Sequence, residues 1–165
     1  YIAVVHRPET GTTIKNGTDG ERLIALSNEV CGLIDDWIAN RRTDVDDEFG
    51  RRPLVSTSNG RAHRSTLRGD CYRYTRPCVS TGECPHDRDP DGCDALEYTA
   101  AFDCPSSVSP HALRRGGITH HLNRDVPKDV VSDRANVTPD VLNEHYDRRS
   151  QRQKMEQRRG YLDNI

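Results

Sequence analysis

Residues 76–108 constrain the architecture more than any other part of the chain. The stretch has almost no hydrophobic periodicity and carries Cys78, Cys84, Cys93 and Cys104 among Pro77, Pro85, Pro90 and Pro105. Each proline fixes φ and removes a backbone donor, so a long helix or an interior strand is forbidden here. An irregular excursion of this length needs a local staple to be ordered. The four cysteines are separated by five, eight and ten residues, and 84-CPHDRDPDGC-93 reads as a small loop closed on itself. Four thiolates can complete a tetrahedral zinc site and fold a segment too poor in apolar residues to fold alone. No Cys-x-x-Cys knuckle is present, Cys71 and His86 compete as ligands, and free thiols or one or two disulfides are the other readings.

Composition narrows the setting of that insert. With 165 residues, 33% hydrophobic and 30% charged, the chain is expected to form one domain over 1–165 with long polar excursions. Only three lysines (Lys15, Lys128 and Lys154) stand against 21 arginines, and 18 aspartates against eight glutamates, the balance of a salt-adapted protein. A net charge of -2 excludes a simple polybasic nucleic-acid binder, yet an acidic surface can coexist with a local arginine cluster. No apolar run approaches the roughly 18 to 20 residues of a membrane span, and 1-YIAVVHRPETG-11 has neither the basic start nor the cleavage site of a signal peptide. The expectation is a soluble, cytoplasmic protein with no membrane partner. In that compartment cysteines serve as metal ligands or free thiols more often than as disulfides.

Local patterns then place the elements. Residues 2-IAVV-5, 11-GTTI-14 and 22-RLIAL-26 read as strands, the last two flanking a turn at 15-KNGTDGE-21 with Lys15 at its lip. In 27-SNEVCGLIDDWIANRR-42 the residues Val30, Leu33, Ile34, Trp37 and Ile38 recur at helical spacing behind a Ser27 or Asn28 cap, with Cys31 as a packed thiol beside the stripe. A loop follows, with a short extended piece at 53–57. A second helix from Ser65 to about Tyr74 should point Leu67, Cys71 and Tyr74 inward. Ser109 and Pro110 mark the start of a third helix, and 127–134 and 138–147 read as short helices. The tail 148–165 is polar and helix-permissive, with little to bury. Nine arginines between Arg41 and Arg76 are either a solvated surface or contacts for a DNA backbone.

The chemistry concentrates in 109-SPHALRRGGITHHL-122. His111, His120 and His121 lie nine and ten residues apart with no carboxylate among them, and at about 100° per residue His120 points away from His111, so one metal cannot take both. An ordinary amphipathic helix is a simpler reading, since Ile118 and Leu122 share the side of His111. A phosphate site is the sharper one. His111 and Arg114 share a face in the first turn, where free N–H groups and the positive helix end favour an anion. An arginine fork there can bind two phosphate oxygens at once.

The segment 111-HALRRGGITHHLN-123, the pair Val130 and Val131, and Tyr146, 35 positions after His111, together resemble the catalytic domain of the tyrosine recombinases, the phage-integrase family. Upstream, 15-KNGTDGERLIALS-27 is similar to the family's β-hairpin, with a lysine before a slightly longer turn. The closer likeness is to integrase-like recombinases of salt-loving archaea. The resemblance covers about residues 1–30 and 105–150. It implies an α+β, mostly helical fold, that of the DNA breaking-rejoining enzymes, with a small antiparallel β-hairpin sheet packed on a helical catalytic domain and, in this chain, the Cys-rich insert. It implies double-stranded DNA as substrate and homo-oligomers on DNA. Tyr146 would attack a phosphodiester and form a 3′-phosphotyrosyl link, with Arg114 clamping the phosphate, His111 acting as base or hydrogen-bond partner, and Lys15 protonating the leaving 5′-oxygen. No cofactor is needed for that chemistry, so a zinc ion in the insert would be structural.

Two parts of the family pattern are absent or altered. Its first catalytic arginine precedes the hairpin, and the sequence here begins at Tyr1, which is expected of a fragment, inactive alone, lacking upstream helices and a core-binding domain. The position that usually carries His or Trp before the tyrosine falls on Val137, which cannot donate to phosphate; Arg134, Asn136 or His145 would have to substitute. The alternatives are a structural Tyr146, an exposed turn lysine at Lys15, and a non-catalytic, zinc-stabilised DNA-binding or interaction module.

Overall fold

A computed structural model describes residues 1–147 and 149–162; of the polar tail 148–165, Arg148 and residues 163–165 lie outside the described residues. The chain is mostly helical α+β with two small antiparallel strand pairs. Its contacts gather in two units, Tyr1–Leu26 with Arg114–Ile165, and Ser27–Leu113. Among the described residues no helix is long and apolar enough to cross a membrane.

In the first unit β1 (Ile2–Val4) pairs antiparallel with β2 (Arg22–Ile24), Ala3 opposite Leu23. The expected strand at 11–14 does not form, and β2 takes β1 as its partner instead. The intervening chain satisfies its polar groups locally, which explains the difference. Pro8 opens a 3-10 turn over Pro8–Thr10, Gly11 closes it at φ 65°, and Arg7 and Thr12 bridge. Ile14 N–H donates to His6 Nδ1 at 3.3 Å, and the His6 N–H donates to Glu21 at 2.8 Å. Instead of a tight turn, Gly17–Gly20 forms another 3-10 turn after Asn16 at φ 72°.

Three helices supply the core of this unit. Helix α4 (Pro110–Asn123), whose last ten residues belong here, starts where the sequence indicates, with Ser109 Oγ accepting the Ala112 N–H at 3.2 Å. Helix α5 (Lys128–Ala135) ends at Asn136 in the left-handed region. Helix α6 (Pro139–Val141), capped by Thr138, runs into a wider π-helical turn over Leu142–Tyr146. Ile118, Leu122, Val131 and Leu142 are buried together, with Val126, Ala135, Val137 and Tyr146 packed against them. Helix α7 (Gln151–Leu162) follows, capped by Ser150, whose Oγ accepts the Gln153 N–H at 3.2 Å.

In the second unit Ser27 caps α1 (Asn28–Asp36), which continues as a π-helical turn to Arg41. The expected inward stripe of α1 is only partly covered. Ile34, Trp37 and Cys31 are half-buried, the indole N–H donating to Leu54 O at 2.7 Å, while Val30, Leu33 and Ile38 are exposed. In the same way α2 (Arg64–Tyr74) half-buries Cys71 but leaves Leu67 and Tyr74 exposed, against expectation. The reason is supply: the buried apolar residues of this unit are the small side chains of Ala95, Ala101 and Cys104, too little surface to cover two helix stripes. Between α1 and α2, β3 (Ser56–Thr57) and β4 (Gly60–Arg61) make a short hairpin, and α3 (Pro77–Thr81) follows α2.

The insert after α3 is organised by an arginine. Arg76 is buried and donates to Arg73 O at 3.1 Å and to Ala95 O, tying the end of α2 to the middle of the insert. Thr75 Oγ accepts the Val108 N–H at 2.8 Å, which brings the two ends of the segment together. Tyr72 and Phe102 meet edge to face with centroids 6.3 Å apart, and the Arg73 guanidinium lies 5.6 Å from the Tyr98 ring centre.

Candidate functional site

Arg114 lies on α4, exposed, and its guanidinium donates to Ala135 O at the end of α5. The last carbonyls of a helix have no partner inside it and carry the negative end of its dipole, so a guanidinium there is favourable. Arg22 does the same one residue earlier, its Nε donating to Arg134 O at 3.3 Å while its Nη1 reaches Gly20 O at 2.7 Å. Arg134 in turn donates from Nη1 to Ala25 O at 2.6 Å. These bonds stitch the strand pair to α5, and Arg114 is part of the seam with further N–H donors still on its fork.

Lys15 is exposed in the β1–β2 connection. Its backbone is pressed against Gly20: a Cβ at position 20 would lie 2.5 Å from Lys15 O and 3.1 Å from Asn136 Nδ2. Only glycine fits between them, and this contact brings the lysine-bearing loop to the end of α5 that Arg114 caps. His111, three residues before Arg114 on α4, is exposed; the expectation that it shares the buried side with Ile118 and Leu122 is not met. It stands in the first turn, before α4 reaches the core it packs on. His120 is exposed, while His121 is half-buried with Nδ1 2.7 Å from Gly117 O.

Tyr146 closes the π-helical turn and is half-buried against the Leu122–Leu142 core. Val137 is held in the same layer: its N–H donates to Ser132 O at 3.1 Å and its carbonyl accepts from Ser132 Oγ at 2.6 Å. Of the residues that would have to substitute for it, Arg134 is engaged at Ala25 O, Asn136 is the left-handed cap of α5, and His145 is exposed with Nε2 3.7 Å from Glu144.

Sequence reasoning missed the group beside the tyrosine. The Asp147 side chain is inaccessible and holds three cations: Arg149 Nε at 2.7 Å and Nη2 at 3.0 Å, Lys128 Nζ at 2.7 Å, and Lys154 Nζ at 3.4 Å. The Arg149 hydrogen bonds, against the opposing effect of burial and with help from Lys128, hold the Asp147 carboxyl well below the usual carboxylate range. Arg149 reaches on to Leu122 O at 3.1 Å and to Gln157 Oε1 at 2.6 Å. No single short motif announces this cluster, because Lys128 comes from another helix well before Asp147, and Arg149 and Lys154 follow it in a tail that reads as uniformly polar. The one local cue is an acidic residue directly after the tyrosine.

Among the described residues of this unit, clefts include the following two. One of about 240 Å³ is lined by Asp19, Glu21, Arg22, Asp133, Asn136 and Thr138. The other, about 670 Å³, runs beside α7 and is lined by Asn123, Asp125, Arg149, Arg152, Gln153 and Glu156. Neither is lined by Lys15, Arg114 or Tyr146, and three carboxylates make the first unsuited to a phosphate.

All six thiols of the chain are free; of the four in the insert, Cys78, Cys84 and Cys93 are half-buried and Cys104 is buried. His86 Nε2 lies 2.9 Å from Ser106 Oγ. The donor set suits zinc chemically, but among the described residues no group of three or more His, Cys, Asp or Glu side chains is arranged to hold a metal ion. The nine central arginines are partly committed to the fold: Arg51 and Arg61 converge on Asp47, Arg52 lies 3.3 Å from Asp44, and Arg76 is buried. No family model, curated protein or solved structure matches the chain.

Proposed function

We propose that the chain is the catalytic region of a site-specific DNA recombinase that works through Tyr146. The observation that carries the reading is the spacing of His111, Arg114 and Tyr146, the first two at the start of α4 and the tyrosine 35 residues after His111. In the proposed reaction the Tyr146 oxygen attacks a backbone phosphorus and gives its proton to His111. The phosphorus–5′-oxygen bond breaks, Lys15 protonates the leaving 5′-oxygen to give a 5′-hydroxyl, and a 3′-phosphotyrosyl link stores the bond energy until another strand reverses the step. The phenol, with a free pKa near 10, needs that base, and the charge on the five-coordinate phosphorus needs Arg114. Arg114 is bonded to the end of α5 and the loop that bears Lys15 meets the same end through Gly20, which supports these roles. The Cys-rich insert would hold a structural zinc ion through Cys78, Cys84, Cys93 and Cys104, and homo-oligomers would assemble on DNA.

A second reading, a DNA-binding or interaction module without catalysis, is favoured by two particulars. Arg114 is already bonded to Ala135 O, and Val137 is part of the apolar core. A nicked suicide DNA substrate incubated with the full-length protein separates them. A covalent adduct that survives denaturant and disappears in Tyr146→Phe supports the recombinase; retention of DNA without an adduct supports the module.

A further inference from the structure

The tyrosine's chain neighbour, Asp147, is anchored through its backbone and through both oxygens of its side chain. Asp147 N–H donates to the carbonyl of the fully buried Leu142 at 2.8 Å, which closes the turn that carries Tyr146. Both carboxylate oxygens are then taken. Oδ1 receives Arg149 Nε at 2.7 Å, while Oδ2 receives Arg149 Nη2 at 3.0 Å, Lys128 Nζ at 2.7 Å and Lys154 Nζ at 3.4 Å. Those cations come from three places: the first residue of α5, the segment after the tyrosine, and α7. A carboxylate gripped from three directions cannot rotate, so the backbone on the C-terminal side of Tyr146 is fixed in relation to α5 and α7. On its other side Tyr146 packs against the buried cluster of Ile118, Leu122, Val131 and Leu142. What is left to the tyrosine is rotation about its own side-chain bonds.

We propose that Asp147 is a positioning residue for Tyr146, acting through the backbone that joins them and through its bonds to Lys128, Arg149 and Lys154. The inference rests on the recombinase reading for its catalytic consequence, not for its structural content. A nucleophile must reach its phosphorus in line, and displacement by about 1 Å costs roughly 100-fold in rate. An exposed tyrosine on a loose loop would lose that factor; one fastened at the next residue would not.

The test uses the full-length protein carrying 3-fluorotyrosine, with the Tyr146 fluorine resonance assigned by its loss in Tyr146→Phe. Asp147→Asn keeps the shape and removes the charge; it should shift or split the Tyr146 line and leave the other tyrosine lines in place. Lys128→Gln, at a half-exposed side chain that also bonds Asn143, removes one of the grips and should move the same line less. It serves if the Asn variant fails to fold. An unmoved Tyr146 line in a folded variant overturns the proposal, whatever happens on DNA. On the suicide substrate, the Asn variant should lose about 100-fold in single-turnover adduct formation with DNA affinity within about twofold of the parent. A rate loss matched by an equal affinity loss overturns positioning in favour of a general effect on the surface. If the parent itself forms no adduct, the recombinase reading fails, and the fluorine result alone decides whether Asp147 fixes Tyr146.

Discussion

Arg114 and Asp147 each combine two duties that substitution can separate. Arg114 caps α5 by donating to Ala135 O, and in the proposed reaction it also clamps phosphate. A cation at a helix C-terminus contributes typically 0.3–1 kcal/mol. Arg114→Ala should therefore lower stability by about 1 kcal/mol in urea denaturation and abolish adduct formation. Arg114→Lys should keep most of the stability and still fail on DNA, because an ammonium cannot make the two-pronged contact. Equal activity of the Lys variant and the parent would remove Arg114 from the site. For Asp147 the sign follows from its lowered pKa. A carboxyl that ionises more readily folded than unfolded contributes stability that is complete above the unfolded value, near 3.9, and is lost as pH falls toward the folded one. Thermal melts should thus be flat in this respect from pH 7 to about 5 and fall below about 4. Asp147→Asn should be less stable throughout the neutral range, with a shallower acid limb. Truncation to Ala leaves three cations around an empty place and should cost roughly 3–5 kcal/mol.

At the scale of elements, local signals were legible and distant ones were not. The Ser27 and Ser109 caps and Pro110 at the start of α4 are encoded within a few residues, and those helices begin where those residues say. The partner of β2 was not, because nothing in 11-GTTI-14 reveals that Pro8, Gly11 and His6 will consume its polar groups in a local loop. Nor was Arg76, one arginine among nine in its region, whose role depends on where Ala95 O ends up. That role can be tested. Hydrogen bonds to charged groups contribute about 1.5–3 kcal/mol each, and Arg76 makes two to carbonyls, so Arg76→Met should open the 76–108 segment selectively. Hydrogen exchange should then quicken at amides from Ala95 to Cys104 and stay slow at Leu122 and Val131. Uniform quickening would mean that Arg76 supports no separate element. Zinc is the complementary question for the same segment: protein purified without added metal should carry about one zinc per chain if the four thiols are ligands. Metal-free protein with the same exchange protection would leave the arginine as the staple.

For the whole molecule, the balance of charge decides what the arginines can do together. Composition places 21 arginines against 18 aspartates, and the central arginines differ sharply in how far those aspartates occupy them. Arg51 lies 3.0 Å from Asp47, which also pairs with Arg61, and Arg76 is buried, whereas Arg41 and Arg64 are exposed. A guanidinium already bonded to a buried carboxylate releases few counterions on meeting DNA. An exposed one contributes roughly 0.9 to the slope of log affinity against log salt for each phosphate it meets. If the chain binds double-stranded DNA, Arg41→Ala or Arg64→Ala should reduce that slope by about one and leave stability nearly unchanged. Arg51→Ala should leave the slope alone and destabilise the protein by removing one of the two guanidiniums on Asp47. Titrations of a fluorescent duplex from low to high salt, run beside urea denaturation of the same variants, read both quantities. A slope that falls equally for all three would mean that the ion pairs at Asp47 open on DNA. A slope near zero in the parent would remove the DNA backbone as the partner of this arginine-rich region.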